Sequence, residues 1–255
     1  DIDPSEVRKN VKAYQSVIGE LKDTLAALTG MVEPQERDEW FAMLDGWRAK
    51  DYYPDTSKTK LHPMQIMQEI ARQGGDNAII VTDVGQHQMW AAQYCGKVRP
   101  RGFLTSGGLG PMGFGYGAAI GAKVGVPDAT VFHITGDGSF HMNMNEACTA
   151  VSNNLKVITI IMDNAVLGMV RQWQTIFYDH HYMATDPHRK SDYVKLAEGF
   201  GLRGYRAETP EEFAKALQEA LAGDGPAWIV CPIDKDERVL PMIPNGMTVR
   251  DMIID

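Results

Sequence analysis

The chain has 255 residues, 44% of them hydrophobic, which is enough for one large α/β domain with some extra, or two small domains. Its formal charge of −8 comes with Lys and Arg spread along the chain rather than gathered in a basic stripe, which argues against nucleic acid as a partner. No apolar run reaches membrane-spanning length, nothing has the form of a signal peptide, and the three cysteines (Cys95, Cys148, Cys231) form no C-x-x-C pair, so a cytoplasmic protein with reduced thiols is expected.

The chain opens on DIDPSE without an initiator Met and reads as an internal or processed stretch of a longer protein. Two readings of residues 1–30 stand side by side. Val7, Val11, Tyr14, Ile18, Leu21, Leu25 and Leu28 alternate steps of four and three, as on one amphipathic helix from Asp3-Pro4 to a stop at Gly30. Asn10, Gly19 and the β-leaning Tyr14–Ile18 oppose an unbroken helix. Residues 34–49 read as a helix, 50–61 (DYYPDTSKTKLH) as a polar linker, and Pro63 opens a helix that runs to about Gly74.

From Asn77 onward apolar runs alternate with helical patterns. Ala78–Thr82, Thr130–Thr135, Lys156–Met162, a segment near Tyr205 and Ala227–Cys231 read as strands. Helices are expected at Gln86–Tyr94, Gly113–Gly125, 140–153, 168–177, 192–200 and Pro210–Ala222. This rhythm predicts the α/β class: a mostly parallel sheet with helices on both faces.

Within SGGLGPMGFGYGAAIGA (106–122), Gly108-Leu109-Gly110-Pro111-Met112-Gly113 matches G-x-G-x-x-G, the dinucleotide fingerprint. Its context is wrong. The preceding Arg99-Pro100-Arg101-Gly102 makes a poor central strand, and the acid about twenty residues on, Asp128, sits in a turn instead of at a strand end. Gly115, Gly117 and Gly121 are expected to let a helix pack closely on the sheet.

A more specific pattern follows. The strand Thr130–Thr135 runs into Gly136-Asp137-Gly138-Ser139, where glycines permit a tight turn and helix-start N–H groups favour an anion. After Gly138, 24 residues supply one helix and one strand before Asp163 and Asn164. In a right-handed βαβ unit the two strand ends lie side by side, so Asp137 and Asn164 converge at the carboxyl edge of the sheet. Carboxylate, amide and carbonyl oxygens suit Mg²⁺ bridging to a diphosphate.

G-D-G, 24 residues and then x-N is similar to the signature of thiamine diphosphate enzymes. VGQHQMWAAQY (84–94), TSGGLGPMGFGYGAAIGA (105–122) and LGMVRQWQTIFY (167–178) resemble acetohydroxyacid synthase, also called acetolactate synthase, and the likeness runs over the whole chain. The resemblance implies the thiamine diphosphate-binding fold, with residues 1–32 as the end of the central domain, 33–61 a linker with a helix, and 62–255 the C-terminal diphosphate-binding domain. It implies that Asp137 and Asn164 ligate Mg²⁺ through side chains and Val166 through its carbonyl. Gln86, His87, Gly136, Gly138 and Ser139 would hold the diphosphate. Met112, with Gly110, would sit under the bend of the cofactor, and Leu167, Gly168 and Met169 would complete its site. Met169, Val170 and Trp173 would line the substrate pocket, although their spacing equally suits a buried helix face. The family pattern has Asn-Asn at the metal strand end, and Asp163 stands here in place of the first Asn.

The implied reaction condenses two pyruvates, or pyruvate and 2-oxobutyrate, with loss of CO₂. In the family a glutamate on an N-terminal pyrimidine-binding domain activates the cofactor, so no residue of this chain takes that role. FAD would bind through residues upstream of Asp1. A homodimer or higher oligomer with the active site at a subunit interface and a regulatory small subunit are further expectations of the resemblance. Competing readings are another 2-oxo acid decarboxylase or carboligase of the same cofactor class, a noncatalytic cofactor-holding half, and an NAD-dependent dehydrogenase resting on the glycine match alone.

Overall fold

The computed structural model describes residues 1–49, 54–96 and 98–254, without the side chain of Lys58. It forms two compact units, Asp1–Pro54 and Asp55–Asp255. Residues 50–53 of the expected linker lie outside the described residues.

In the first unit a 3₁₀ turn, Pro4–Glu6, starts where the sequence signal stands, with the Ser5 N–H donating to the Asp3 carboxylate at 2.8 Å. The single long helix does not form. Helix α1 covers only Leu21–Thr29, and the residues between the 3₁₀ turn and α1 are neither helix nor strand. Asn10 and Gly19 break the run, and Val11 and Tyr14, which a helix would have placed on its apolar face, are exposed. The β-leaning Tyr14–Ile18 also lies outside any helix, and among the described residues of this unit there is no strand. Gly30 stops α1 as expected, its N–H donating to the Ala26 carbonyl. Helix α2 spans Asp38–Arg48 and starts four residues later than the sequence suggests, beyond Pro34.

The second unit starts with α3, Pro63–Gly74. Pro63 sits in its first turn, the Met64 N–H donates to His62 Nδ1 at 3.0 Å, and the His62 N–H donates to Gln65 Oε1 at 2.9 Å. There follow β1 (Ala78–Thr82), α4 (Gln86–Tyr94), β2 (Phe103–Leu104), α5 (Phe114–Gly125), β3 (Thr130–Gly136), α6 (Asp137–Asn143), α7 (Ala147–Ser152), β4 (Val157–Asp163), α8 (Gly168–Phe177), α9 (Tyr193–Phe200), β5 (Arg203–Arg206), α10 (Pro210–Ala222) and β6 (Ala227–Pro232). The expected helix over 140–153 is two helices separated by a 3₁₀ turn at Met144–Glu146, and it starts earlier, with Asp137 as its first residue.

The six strands form one sheet in the order β2-β1-β3-β4-β6-β5, every pairing parallel. The near-continuous apolar runs divide by their period of two. Ile80, Phe132, Ile134, Ile158, Ile160 and Ile229 face the core shared with α3, α4 and α10. Ile79, Val81, Val131, Ile161, Trp228 and Val230 face the core shared with α5, α6, α7 and α9. In the second core Phe140 meets Trp228 edge-on at 4.7 Å between centroids, and the Trp228 indole N–H donates to Tyr116 Oη at 3.1 Å, so the buried donor is satisfied. Among the described residues no helix is long and apolar enough to cross a membrane.

The small residues of α5 divide into two kinds. A Cβ on Gly115 would stand 2.6 Å from His133 Nε2 and 2.7 Å from the Asp83 backbone nitrogen, so close packing on the sheet does require this glycine. Gly117 and Gly121 are exposed and have nothing within 4 Å of such an atom, so the packing role expected for them is wrong. The sequence pattern could not separate the three, because only the helix face decides. Gly117→Ala should therefore raise the stability of this chain by about 0.5–1 kcal/mol, the helix-interior gain of alanine over glycine. Gly115→Ala should destabilise by about 1–3 kcal/mol through overpacking. Urea unfolding of the two variants against the parent chain checks both signs.

Candidate functional site

The carboxyl ends of β1, β3 and β4 lie side by side, with Thr82 opposite Ile134 and Gly136 opposite Met162. The strand order reverses between β1 and β3: the chain leaves β1 outward to β2 and returns past it to β3. Such switch points open a crevice at the carboxyl edge of the sheet. Here it holds a cavity of about 270 Å³. The turn after β1 lines it with Gln86 and His87, the glycine turn with Gly110 and Met112, and the turn after β3 with Gly136, Asp137, Gly138 and Ser139. The segment after β4 adds Asn164, Val166, Leu167, Gly168, Met169 and Val170. The expected site residues thus meet in one place, with one exception. Trp173 is not among the lining residues; it lies farther along α8, 40% exposed, its ring 5.3 Å from that of Phe177.

Asp137, the first residue of α6, is buried. Its Oδ2 accepts from Arg189 Nη1 at 2.6 Å, and its Oδ1 has no partner among the described residues. Burial, and then the charge of Asp163, push its pKa up to about 6 against the pull of Arg189. Gly136 leaves room for the His87 ring, which would stand 2.9 Å from a Cβ there. The Ser139 hydroxyl donates to the Val84 carbonyl and ties the turn after β3 to the turn after β1.

After β4 the chain turns sharply. Ala165 takes a left-handed φ of 59°, its N–H donates to Asp163 Oδ1 at 3.2 Å, and the Val166 N–H donates to Asn164 Oδ1 at 3.2 Å. Asp163 thus supports the turn that carries Asn164 and Val166. Burial raises its pKa.

His87 is fully enclosed, and its Nε2 has no partner among the described residues. Burial pushes its pKa down to about 4 against the pull of Asp83, so the ring is neutral near pH 7. Gln86 is already engaged: its Nε2 donates to Gln172 Oε1 at 2.9 Å and to the Glu237 carbonyl at 2.8 Å. Gln172 in turn donates to the Val239 carbonyl at 3.1 Å and accepts from the Val239 N–H at 2.8 Å. These two buried amides fasten the segment after β6 to α4 and α8.

The glycine turn is held by a residue the sequence reading passed over. Asp83, directly after β1, is buried; Oδ1 accepts from the N–H groups of Val84 at 2.7 Å and Gly113 at 2.8 Å, and Oδ2 from Gly115 at 3.0 Å. Burial pushes its pKa up, but the His133 imidazole 3.9 Å away and these N–H groups outweigh it and hold the carboxyl at about 2. Gly113 supplies the left-handed φ of 93° that turns the chain into α5. Met112, just before it, is 39% exposed, its Cε 3.6 Å from where a Cβ of Gly138 would stand. Its position at the cavity, rather than in either core, sets it apart from a core-filling methionine.

Asp83 was legible by the rule that strand carboxyl ends carry sites. Gln172 lay unremarked inside GMVRQW. No local signal marks Arg189, whose partner is 52 residues away.

The donor set fits a hard cation. A buried carboxylate oxygen without a partner among the described residues, an amide oxygen and a main-chain carbonyl belong to Asp137, Asn164 and Val166, three residues that line the cavity at adjoining strand ends. Among the described residues no three His, Cys, Asp or Glu side chains gather as a metal cluster. The expected set contains only one such side chain, Asp137.

Residues 83–231 match the family described as "Thiamine pyrophosphate enzyme, C-terminal TPP binding domain". The chain is similar to the acetolactate synthase catalytic subunit, mitochondrial, of Aspergillus candidus, 38% identical over 100% of this chain and 38% of that protein. It is 37% identical to the protein of the same name from Saccharomyces cerevisiae, over 99% of this chain and 38% of that one. It is 40% identical to the acetolactate synthase isozyme 1 large subunit of Escherichia coli K12, over 99% of this chain and 45% of that one. The chain thus spans less than half the length of these relatives. The dinucleotide reading falls, since the glycines follow a two-residue edge strand and the matched family binds a different cofactor. A six-stranded parallel sheet, a G-D-G turn beside an Asn-bearing strand end, and a match over more than half the residues agree: the chain belongs to the thiamine pyrophosphate enzymes, as a C-terminal TPP-binding domain.

Proposed function

We propose that this chain is the C-terminal, diphosphate-binding part of an acetolactate synthase, which condenses two pyruvates, or pyruvate and 2-oxobutyrate, with loss of CO₂ in branched-chain amino acid biosynthesis. One observation carries the reading: a single cavity at the carboxyl edge collects the residues of all three motifs that the resemblance rests on. The names of the similar proteins agree with it. In this reading residues 1–32 end a preceding domain, 33–61 link, and 62–255 bind the cofactor.

When bound, thiamine diphosphate supplies a nucleophilic carbon and an electron sink for the decarboxylation of a 2-oxo acid. The chain's residues do the rest. Asp137 and Asn164 through their side chains and Val166 through its carbonyl would hold Mg²⁺. The turn Gly136-Asp137-Gly138-Ser139 and His87 would receive the diphosphate, the neutral His87 ring donating from its unpartnered Nε2 in the tautomer that protonates it. Gln86 takes part only by exchanging one of its present hydrogen bonds. Met112 props the bend, set by the Gly113 turn. Met169, Val170 and Ile233 give the cavity apolar walls, which exclude water and favour loss of a charged carboxylate. Trp173 selects the second 2-oxo acid from beyond the lining. No acid or base here activates the cofactor; that group belongs to a pyrimidine-binding domain, from the same chain or a partner, in a homodimer or higher oligomer with a regulatory subunit. FAD, where present, is held outside these residues. The three cysteines, free of disulfides, suit the reducing cytoplasm.

Acetolactate formation from pyruvate should be undetectable with the 255-residue chain alone, which binds Mg²⁺–thiamine diphosphate weakly at best, and should appear once a pyrimidine-binding domain is supplied in cis or in trans. A purified lone chain that makes acetolactate sinks the proposal. In the reconstituted enzyme, Trp173→Leu should reduce the preference for 2-oxobutyrate over pyruvate by about tenfold, the scale of one apolar contact group, as read from competing product yields.

Mg²⁺ binding should depend on pH with a defined sign. Metal-free Asp137 keeps its proton up to about pH 6, and a ligand must release it. Affinity should therefore fall by about tenfold per unit below pH 6 and level off above it, as measured by Mn²⁺ paramagnetic resonance at pH 5 and pH 7. Without metal the same group contributes stability that is fully present below the ordinary carboxylate range and lost as pH rises through about 6.

A further inference from the structure

We propose that Arg189 is a second cation of the diphosphate site, sharing the Asp137 carboxylate with the metal; this rests on the thiamine diphosphate reading above. The carboxylate is divided. Oδ2 accepts from Arg189 Nη1 at 2.6 Å, while Oδ1, equally buried, has no partner among the described residues. A carboxylate that only anchored an arginine deep in the protein would use both oxygens on the guanidinium fork or on nearby N–H groups. Asp83, one strand away, uses both oxygens in that second manner. Asp137 holds one oxygen on a cation and leaves the other for a second.

The guanidinium also reaches past Asp137. Its Nη2 lies 3.7 Å from the position a Cβ of Gly138 would take, so it extends over the turn assigned to the diphosphate. One of its five N–H groups is spent on Asp137, and Nη2 stands beside the Gly138 position with its donors in no hydrogen bond among the described residues. Charge balance gives the second cation its purpose. A diphosphate carries more negative charge than one magnesium ion neutralises, and the charge of Asp163 already bears on the buried Asp137 carboxylate at this edge. The hydroxyl of Tyr193, also buried without a partner among the described residues, feels both carboxylates as well.

The segment between α8 and α9 delivers Arg189 from a fixed position. The Leu167 N–H donates to the Thr185 carbonyl at 2.8 Å, with Thr185 buried, and Ser191 Oγ lies 3.2 Å from His141 Nε2 on α6. Arg189 stands between these two anchors. The crossover after α8 therefore connects the metal strand end to the G-D-G helix and carries a phosphate-binding side chain across the gap.

The test is isothermal titration of Mg²⁺–pyrophosphate and of Mg²⁺–thiamine diphosphate into the enzyme reconstituted with a pyrimidine-binding domain, as the parent and as its R189Q and R189K variants, at two ionic strengths. Loss of one charge-assisted contact should weaken both ligands about tenfold or more in R189Q, with R189K recovering part of the loss and R189Q showing the shallower dependence on salt. Thermal unfolding of the ligand-free variants confirms that each is folded. The opposite result overturns the proposal: if R189Q binds either ligand as tightly as the parent or more tightly, Arg189 only occupies the metal's place and must leave when the ligand enters. Failure of the reconstituted parent enzyme to bind either ligand overturns the cofactor reading itself and the Arg189 assignment with it.

Discussion

A carboxylate sealed inside a protein must find its partners there, and Asp83 finds three of them in the backbone. Its two oxygens take the N–H groups of Val84, Gly113 and Gly115, joining the end of β1 to the start of α5. The first N–H groups of a helix need acceptors, and α5 gets no capping hydrogen bond from the side of its own chain, because its N-cap is a glycine. Asp83 takes over that task from another element. The missing Cβ of Gly115 lets the helix start come down onto the Asp83 backbone and the His133 ring. Everything the glycine turn presents to the cavity, Met112 first, is positioned by this one buried charge. The glycines that look like a dinucleotide loop therefore serve an internal anion as well as the space of the cavity.

Two acids at neighbouring strand ends show how environment separates roles. Asp83 is held at about 2 and Asp137 is raised to about 6. Both are buried, so burial alone does not distinguish them. The difference is the number of donors: Asp83 has the backbone on both oxygens, whereas Asp137 has one arginine on one oxygen and Asp163 close by. A satisfied carboxylate is structural; a half-satisfied one is poised to accept a cation. His87, driven down to about 4, belongs to the same logic, since a neutral ring beside the Gly136 turn adds no positive charge that would repel a metal.

What the sequence disclosed and what it withheld follow from the range of the forces. Strands β1, β3, β4 and β6 were legible because burial on both faces demands unbroken apolar runs, and their ends located the site to within a residue. The edge strand β2, two residues long, left no such mark. Residues 1–30 misled because Asn10 and Gly19 interrupt the periodic run and no burial among the described residues of that unit offsets them; only Leu21–Thr29, beyond both, is helical. The fates of Gly115, Gly117 and Gly121 diverged because a helix has faces and composition does not. Gln172 and Arg189 were missed for one reason: their partners lie 67 and 52 residues away, and no local spacing encodes such a distance; Asp83, whose Gly113 partner is 30 residues away, showed only its place at a strand end.

The size of the cavity bears on what this part of the protein does by itself. Pockets that enclose a ligand of cofactor size usually measure about 300–1,000 Å³. This one is about 270 Å³. Its lining mixes polar groups, among them Asp137, Asn164 and His87, with apolar ones, among them Met112, Met169 and Val170. Met112 and Val170 are substantially exposed, and Leu109, in the same glycine turn as Met112, is fully so. Exposed apolar side chains beside a cavity gain stability only when something covers them. A cavity of this size, with apolar side chains left open beside it, is the form expected of one part of a site that a further surface completes.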